Sequence, residues 1–200
     1  MAKERFSAGI DGDAAFVDAE SGGRLSAKPE HFTHLSGKRL VSKESERIAF
    51  RGRIDSLEAE VLEAQALADS LGQAWYCDAL GEVLSFLREV LAAEVSEKPL
   101  PPPELFGLDA EELHRQSHDV KESFGLAHPV PDYRMGPLAL RLNTLRTRIR
   151  EGELLAVRAF APGKDTERKD LILAMNRLSS ALYWLFCRLV AGAARGTKPK

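Results

Sequence analysis

The amino-acid sequence predicts an all-α protein: an up-and-down bundle of about five helices, preceded by an irregular N-terminal segment. Apolar residues recur at intervals of three and four along several long segments, as on one face of a helix. Segments rich in proline and glycine separate these stretches. No segment shows sustained alternation of apolar and polar residues, which half-buried strands require. With 200 residues, 44% of them hydrophobic, the chain suits one domain with a full core.

The first part of the chain carries the weakest helical pattern. Residues 1–27 are rich in Gly, Ala, Ser and Asp, which predicts a mobile segment or a weak hairpin. Residues 28–43 contain proline, glycine and clustered cations and are typical of a loop or short strands. We therefore predict an irregular segment over 1–32 and a helical-bundle domain over 33–197.

The helices of the bundle are predicted from apolar spacing and from the breakers between them. The fifth has a stripe of leucines and one methionine at alternating steps of four and three, as in packed bundles. Prolines lack the backbone donor that a helix interior needs, so they separate the elements on either side of the third helix. The predicted ranges are 44–71, 74–96, 109–123, 138–161 and 165–193.

Composition excludes several classes of protein. The formal net charge is −2, which argues against a general nucleic-acid-binding protein. No apolar run approaches the roughly 20 residues that span a bilayer, so no membrane association is expected. Cys77 and Cys187 make neither a disulfide framework nor a metal quartet, which indicates a reducing cytoplasm. Residues 137–200 hold 13 Lys or Arg against 5 Asp or Glu. This excess of positive charge either faces a polyanionic ligand or is neutralised by acidic helices elsewhere in the domain.

The fourth predicted helix carries an unusual polar stripe. At helical spacing Asn143, Arg146, Arg150 and Glu153 share one side, opposite the apolar face. Two arginines one turn apart offer fixed donors for phosphate oxygens, and the glutamate can orient one of them. The alternative is an ordinary solvated face.

Two other helices place polar groups near their apolar faces. Asn176 and Arg177 interrupt the fifth helix, either as the wall of a ligand pocket or as a stripe facing water or a neighbouring subunit. Asp55 lies close to the apolar face of the first helix, where a carboxylate needs a cation. Arg146 or Arg150 can supply it, and pairing with Arg51 in the same helix is the alternative.

A metal site is not predicted. His114 and His118 form an H-x-x-x-H pair with a single E-x-x-H copy, whereas di-iron carboxylate bundles need two. A structural or capping role is therefore favoured over a metal-binding scaffold. The nucleotide-binding loops G-x-x-x-x-G-K-[ST] and G-x-G-x-x-G are also absent.

Four segments, in one order, resemble the cobalamin adenosyltransferases, most closely their ethanolamine-utilisation branch. They are THLSGKRLVSKESERIAFRGRIDSLEAE at 33–60, DAEELHRQSHD at 109–119, HPVPDYRMGPLALRLNTLRTRIREGE at 128–153 and ILAMNRLSSALYWL at 172–185. The resemblance implies a helical bundle that assembles as a homotrimer with active sites between subunits. It implies an enzyme that transfers the 5′-deoxyadenosyl group of ATP to cob(I)alamin and releases triphosphate, with Mg²⁺ as cofactor.

The resemblance also assigns residues, position by position. It implies that Thr33 and Lys43 bind the triphosphate and that Asp55 pairs with an arginine across the subunit boundary. The R-T-x-x-R-x-x-E and N-R-L-S motifs supply the catalytic arginine helix and the nucleotide contacts. These matches are Arg146, Arg150 and Glu153 for the first motif and Asn176 and Arg177 for the second. Phe124 and His128 lie in the loop region that places a bulky side chain below the corrin ring.

Two departures from the family pattern leave an alternative open. KPEHF at 28–32 replaces the Gly-rich phosphate loop, and no cysteine precedes Cys77, so the metal site of the ethanolamine branch is not expected. The alternative is therefore a bundle that binds and delivers adenosylcobalamin without making it. The implied partners are a corrinoid reductase and an adenosylcobalamin-dependent enzyme, in the cytoplasm or at a bacterial microcompartment.

Overall fold

Six α-helices and a small β-sheet make up residues 15–164 and 166–196, the part of the chain that the computed structural model describes. The helices are α1 Glu46–Ser70, α2 Ala74–Ser96, α3 Ala110–His118, α4 Val120–Phe124, α5 Pro137–Phe160 and α6 Lys169–Gly196. The strands are β1 Phe16–Asp18, β2 Arg24–Leu25, β3 Phe32–Ser36 and β4 Arg39–Ser42. A single 3₁₀ turn, Tyr133–Met135, precedes α5.

The core confirms the predicted helical bundle. Helix α5 packs between α1 and α6, α2 packs against α1, and α3 and α4 cover the far side of α6. Aliphatic and aromatic side chains from all of these helices form one continuous buried cluster. Within the described residues, no helix is both long enough and apolar enough to cross a membrane.

The N-terminal segment forms a four-stranded sheet in the order β2-β1-β4-β3. Two antiparallel hairpins, β1–β2 and β3–β4, join through a parallel β1–β4 pair. Short strands at 28–43 and a weak hairpin before them were among the sequence-based predictions, but the pairing of the two hairpins into one sheet was not. Such short strands carry too little pattern to reveal their partners. The predicted irregular character of residues 1–14 lies outside the described residues.

The predicted third helix, 109–123, is in fact two helices. Asp109 caps its start by accepting hydrogen bonds from the backbone amides of the two residues after Ala110. The break comes at Asp119, whose φ and ψ are −92° and 58°. Near this break, Ser117 Oγ and His118 Nδ1 each lie 2.9 Å from the His114 carbonyl oxygen, so local side chains bond to the backbone of the last turn of α3.

A cluster of two arginines and a buried glutamate, the Glu94 cluster, attaches the sheet to the bundle. Glu94, in the last turn of α2, is fully buried and accepts hydrogen bonds from Arg47 and Arg51 of α1. Arg51 also donates to the carbonyl oxygens of His34 and Leu35 in β3. The cluster therefore holds β3 against the first turns of α1 and the last turn of α2.

Gly152 allows three helices to approach one another. A Cβ at this position would lie 2.7 Å from Met175 Cε of α6, 3.4 Å from Leu57 Cδ1 of α1 and 3.5 Å from Arg53 Cγ. The missing side chain thus sets the spacing between α5 and both of its neighbours. Gly52 provides a comparison, since a Cβ there would meet nothing within 4 Å.

We expect Gly152→Val to lower the free energy of unfolding by about 1–3 kcal/mol, because the added methyl groups overpack the junction. Gly52→Ala should raise it by about 0.4–1 kcal/mol, since an exposed helical glycine gains helix propensity without a clash. Urea unfolding followed by circular dichroism measures both. A Gly152→Val protein as stable as the parent would contradict the packing described here.

Candidate functional site

A line of hydrogen bonds, here called the polar chain, crosses from α5 over α6 to α3. Asn176 Nδ2 donates to Glu153 Oε1 at 2.9 Å, and Arg177 Nη1 donates to Asn176 Oδ1 at 2.7 Å. Arg177 Nη2 donates to Glu111 Oε1 at 3.2 Å. The amide of Asn176 is thereby fixed in orientation, with its nitrogen on the carboxylate and its oxygen on the guanidinium.

Two turns further along the same seam, Arg146 meets an aromatic side chain. Its guanidinium carbon lies 5.4 Å from the centre of the Tyr183 ring, and its Nε donates to Asn143 Oδ1 at 3.3 Å. The Tyr183 hydroxyl lies 3.1 Å from His128 Nδ1. Because α5 and α6 run antiparallel, the Arg146–Tyr183 contact and the polar chain lie along one seam between these helices, called the α5–α6 groove below.

Unused donors remain in this region. Arg177 Nε is buried without a hydrogen-bond partner, and so is His114 Nδ1 on the adjacent α3. Native proteins pair nearly all buried polar atoms, so unpaired ones mark places where a ligand or water completes the structure. Arg177 therefore uses Nη1 for Asn176 and Nη2 for Glu111, while its Nε makes no hydrogen bond.

Burial sets the protonation of the groups beside the groove. Desolvation, followed by the Coulombic effects of His118 and Arg177, lowers the pKa of His114 below 6.5. Burial raises the pKa of the Cys187 thiol to about 11, and burial together with Cys187 raises the pKa of Tyr183 above its usual value of 10.0. The thiol and the phenol are therefore neutral at pH 7, and neither provides a base or an anion beside the arginines.

Arg150, the second arginine of the R-T-x-x-R-x-x-E motif, is exposed. Within the described residues its side chain makes no hydrogen bond or ion pair. Arg148, two residues earlier and on the side of α5 toward α1, instead pairs with Glu151 at 3.1 Å. The guanidinium of Arg150 is therefore available to a ligand or to another subunit.

Asp55 is exposed on α1, and it pairs with none of the arginines proposed for it within the described part of the chain. Arg51, the intrahelical alternative, binds Glu94. Arg146 points to the α6 side of α5, whereas α1 packs on the other side, where Arg53 Nε donates to the Arg148 carbonyl oxygen at 3.3 Å. A pair across a subunit boundary stays a prediction.

Thr33 and Lys43 lie on the β3–β4 hairpin, outside the α5–α6 groove. Thr33 is half-buried in β3 opposite Val41, and Lys43 follows β4 with its side chain exposed. The backbone amide of Lys43 donates to the His31 carbonyl oxygen at 2.9 Å, which brings the two residues to the same end of the hairpin. Their triphosphate role stays a prediction.

The two corrinoid candidates face different cavities. His128 lines a cavity of about 660 Å³ together with His118, Asp119 and the first residues of α4. Phe124 lines a second cavity, of about 530 Å³, whose walls include Trp75, Trp184 and Arg188. Both cavities adjoin α6, because Tyr183 contacts His128 and the next residue, Trp184, contacts Phe124.

Sequence reasoning overlooked three side chains of the site. Tyr183 was assigned to no role, although it lies seven residues, or two turns, after Asn176 and therefore shares its side of α6. Glu111 and His118 were noted only as members of the E-x-x-H and H-x-x-x-H patterns, because only the packing of α3 on α6 brings them beside the other site residues.

The arrangement of donors suits a negatively charged ligand. Among residues 15–164 and 166–196 no group of three or more His, Cys, Asp or Glu side chains lies close enough to hold a metal ion. Arg146, Arg150 and Arg177 instead supply guanidinium donors along one side of the bundle, with an oriented amide between them. Such donors suit a polyphosphate chain.

The described residues form a mainly helical bundle, with arginine side chains along the seam between two antiparallel helices. A sequence model of cobalamin adenosyltransferases matches residues 25–189, which include the hairpin, the arginine helix and Asn176. The chain belongs to the cobalamin adenosyltransferase family.

Two curated relatives carry the name corrinoid adenosyltransferase EutT. The protein of Salmonella typhimurium is 34% identical over 165 residues, 82% of this chain and 60% of the relative. That of Escherichia coli is 34% identical over 160 residues, 80% of this chain and 58% of the relative. The chain thus spans about 60% of the length of these relatives. No solved structure matches it.

The lowered pKa of His114 gives the stability of the fold a pH dependence. As the pH falls through 6.5, His114 becomes protonated in the unfolded chain but stays neutral in the folded chain. The free energy of unfolding therefore decreases with falling pH, until the pH drops below the pKa of His114 in the folded chain. We expect His114→Gln to reduce the loss of unfolding free energy between pH 7.5 and 5.5, measured by urea unfolding. His31→Gln, at an exposed histidine of the sheet region, should leave that loss in place. An equal loss in His114→Gln and the parent would contradict the assignment.

Proposed function

We propose that the protein is an ATP:corrinoid adenosyltransferase. The cobalt of cob(I)alamin, a substrate, attacks C5′ of ATP: the Co–C5′ bond forms, and the bond from C5′ to the triphosphate oxygen breaks. The triphosphate leaves with the electron pair of the broken C5′–O bond, and adenosylcobalamin is the product. No proton changes hands at the reacting carbon, which agrees with a groove whose phenol and thiol are both neutral.

The observation that carries the proposal is the polar chain beside two further arginines. Asn176 is held between Glu153 and Arg177, while Arg150 and the Nε of Arg177 keep unpaired donors. Fixed donors of this kind lower the barrier when they face an atom that gains negative charge in the transition state. The oxygen released from C5′ is such an atom.

Each residue has a separate task in this scheme. Arg146 and Arg150 bind the leaving triphosphate, and the Tyr183 ring lies against the guanidinium of Arg146. Asn176 binds the nucleoside through an amide of fixed orientation, because the hydrogen bonds at both of its ends prevent it from rotating. Glu153 and Arg177 hold that amide, and Thr33 and Lys43 bind the far end of the triphosphate.

Mg²⁺ fits this site as a companion of the nucleotide. The ion usually keeps several waters and binds phosphate oxygens with one or two protein carboxylates, so it needs no cluster of three ligating side chains. Glu153, at the edge of the polar chain, is the carboxylate that would hold it. Held there, Mg²⁺ would neutralise negative charge on the leaving triphosphate.

The corrin ring is assigned to the surface beside α6 that carries the two cavities. Phe124 and His128 flank this surface and exclude water from the lower face of the ring, which favours cobalt without its lower axial ligand. Losing that ligand makes reduction of Co(II) easier, and holding C5′ above the cobalt supplies orientation.

We also propose the assembly and the cellular setting that the family resemblance implies. The active unit is a homotrimer in which Asp55 of one subunit pairs with an arginine of the next. A corrinoid reductase supplies the substrate, and an adenosylcobalamin-dependent enzyme of ethanolamine utilisation uses the product. The setting is the cytoplasm, in association with a bacterial microcompartment.

The main test compares two arginines on opposite sides of α5. Arg150→Ala should lower kcat/KM for adenosylcobalamin formation by about 10²-fold or more, because it removes a donor to the leaving triphosphate. Arg148→Ala, which breaks only an exposed ion pair with Glu151, should change it by no more than about twofold. The assay supplies ATP and chemically reduced cobalamin and follows the product by its absorption spectrum.

The same assay separates the competing function. If the parent protein binds cobalamin or adenosylcobalamin but consumes no ATP, it is a delivery protein. The presence of KPEHF at 28–32 in place of a phosphate loop is the sequence feature behind this alternative. Equal activity in Arg150→Ala and the parent would remove the arginine helix from the mechanism.

A second test concerns the shared site. Asp55→Ala and Arg150→Ala should each be inactive alone, whereas trimers formed from equal amounts of the two should recover about a quarter of the parental activity, since random assembly leaves that share of boundaries intact. Sedimentation should give three times the 22.0 kDa of the chain. If the mixed oligomers have no activity, then either Asp55 and Arg150 act in a site within one subunit, or Asp55 does not belong to the site.

A further inference from the structure

The Glu94 cluster contains a carboxylate in an unfavourable place. Glu94 is fully buried in the last turn of α2, where the helix dipole is negative and disfavours another negative charge. It is stabilised by two guanidiniums of α1: Arg47 Nε donates to Oε1 at 2.7 Å, and Arg51 Nε donates to Oε2. A buried carboxylate held on both oxygens fixes the position of each guanidinium in return.

The rest of the Arg51 guanidinium points to the sheet. Its Nη2 donates to the Leu35 carbonyl oxygen at 2.8 Å, and its Nη1 donates to the His34 carbonyl oxygen at 3.3 Å. The ladder between β3 and β4 shifts register between His34 and Ser36, so backbone groups at this bulge lack regular strand partners. Arg51 supplies the donors that the ladder does not.

A second contact holds the other strand of the hairpin. Arg39 of β4 donates to Glu97 at 3.4 Å, and Glu97 also accepts from Arg47 at 3.2 Å. The hydrogen bond from Arg47 is the main cause that lowers the pKa of Glu97. This pair is exposed and contributes little by itself, so the buried grip of Arg51 on β3 is the stronger attachment.

From this geometry we infer that Arg51, oriented by buried Glu94, positions the β3–β4 hairpin for binding the triphosphate of ATP. The inference rests on the proposed function, which assigns Thr33 and Lys43 to that triphosphate. Thr33 directly precedes the two carbonyl groups that Arg51 holds, and Lys43 is joined to the same end of the hairpin through the His31 carbonyl oxygen. Arg51 and Glu94 are positioning residues, because neither touches the nucleotide.

The deciding variant is Arg51→Lys. Lysine keeps a cation for Glu94, which preserves the buried ion pair and the fold, but a single ammonium cannot span the carboxylate and both carbonyl oxygens as the guanidinium fork does. Arg88→Lys is the matched control, since Arg88 also joins α1 to α2 through an ion pair, with Glu58 at 3.1 Å, but makes no contact with the sheet. Glu94→Gln is a second variant that removes the charge that orients Arg51.

Three measurements on the full chain decide the matter. Hydrogen exchange of the peptides that cover residues 31–43 should become about tenfold faster in Arg51→Lys, with the helices unchanged, because charge-assisted hydrogen bonds to β3 are lost. Calorimetry should show an ATP Kd raised about tenfold, and KM for ATP should rise with it while kcat stays within about twofold. Arg88→Lys should match the parent in all three.

Unchanged exchange of the hairpin in Arg51→Lys would overturn the inference, and so would faster exchange with an unchanged ATP Kd. A parent protein that binds no ATP would also overturn it. If the parent binds ATP, and Arg51→Lys weakens that binding, but no adenosylcobalamin forms, the proposed function fails while the role of Arg51 stands.

Discussion

The close antiparallel contact between α5 and α6 is the constraint on which the rest of the site depends. Gly152 leaves room for Met175, so the two helix backbones approach closely, and one residue further along the hydrogen bond between Glu153 and Asn176 spans the seam. That register also places Arg146 over the ring of Tyr183. A shift of one residue along either helix would rotate these groups about 100° away from one another.

Arginines of this protein divide into two kinds according to what they bind. Arg47 and Arg51 are satisfied by buried Glu94 and by backbone carbonyl oxygens, which makes them part of the scaffold. Arg150 is exposed and makes no hydrogen bond or ion pair within the described residues, and the Nε of Arg177 is buried without a partner. The proposed chemistry uses these arginines, because an unpaired donor can respond to charge that appears during a reaction.

The small sheet illustrates how a weak element can still have a defined place. Strands of two to five residues bury too little surface to be stable alone, so their position depends on contacts with the helices. The Glu94 cluster supplies such a contact at the point where α1 begins and α2 ends. The position of Thr33 and Lys43 is thereby linked to the bundle rather than left to a free loop.

The sequence by itself determined the four long helices, the apolar core stripes and the polar stripe of Arg146, Arg150 and Glu153, because helical periodicity is a local property that three- and four-residue steps reveal. It also indicated Asn176 as a polar residue in an apolar helix. Only the tertiary structure decided that Asn176 meets Glu153, that Tyr183 lies against Arg146, and that β1–β2 joins β3–β4. These pairings depend on the register between elements distant in sequence, and register is set by packing of whole helices and strands, which no local pattern records.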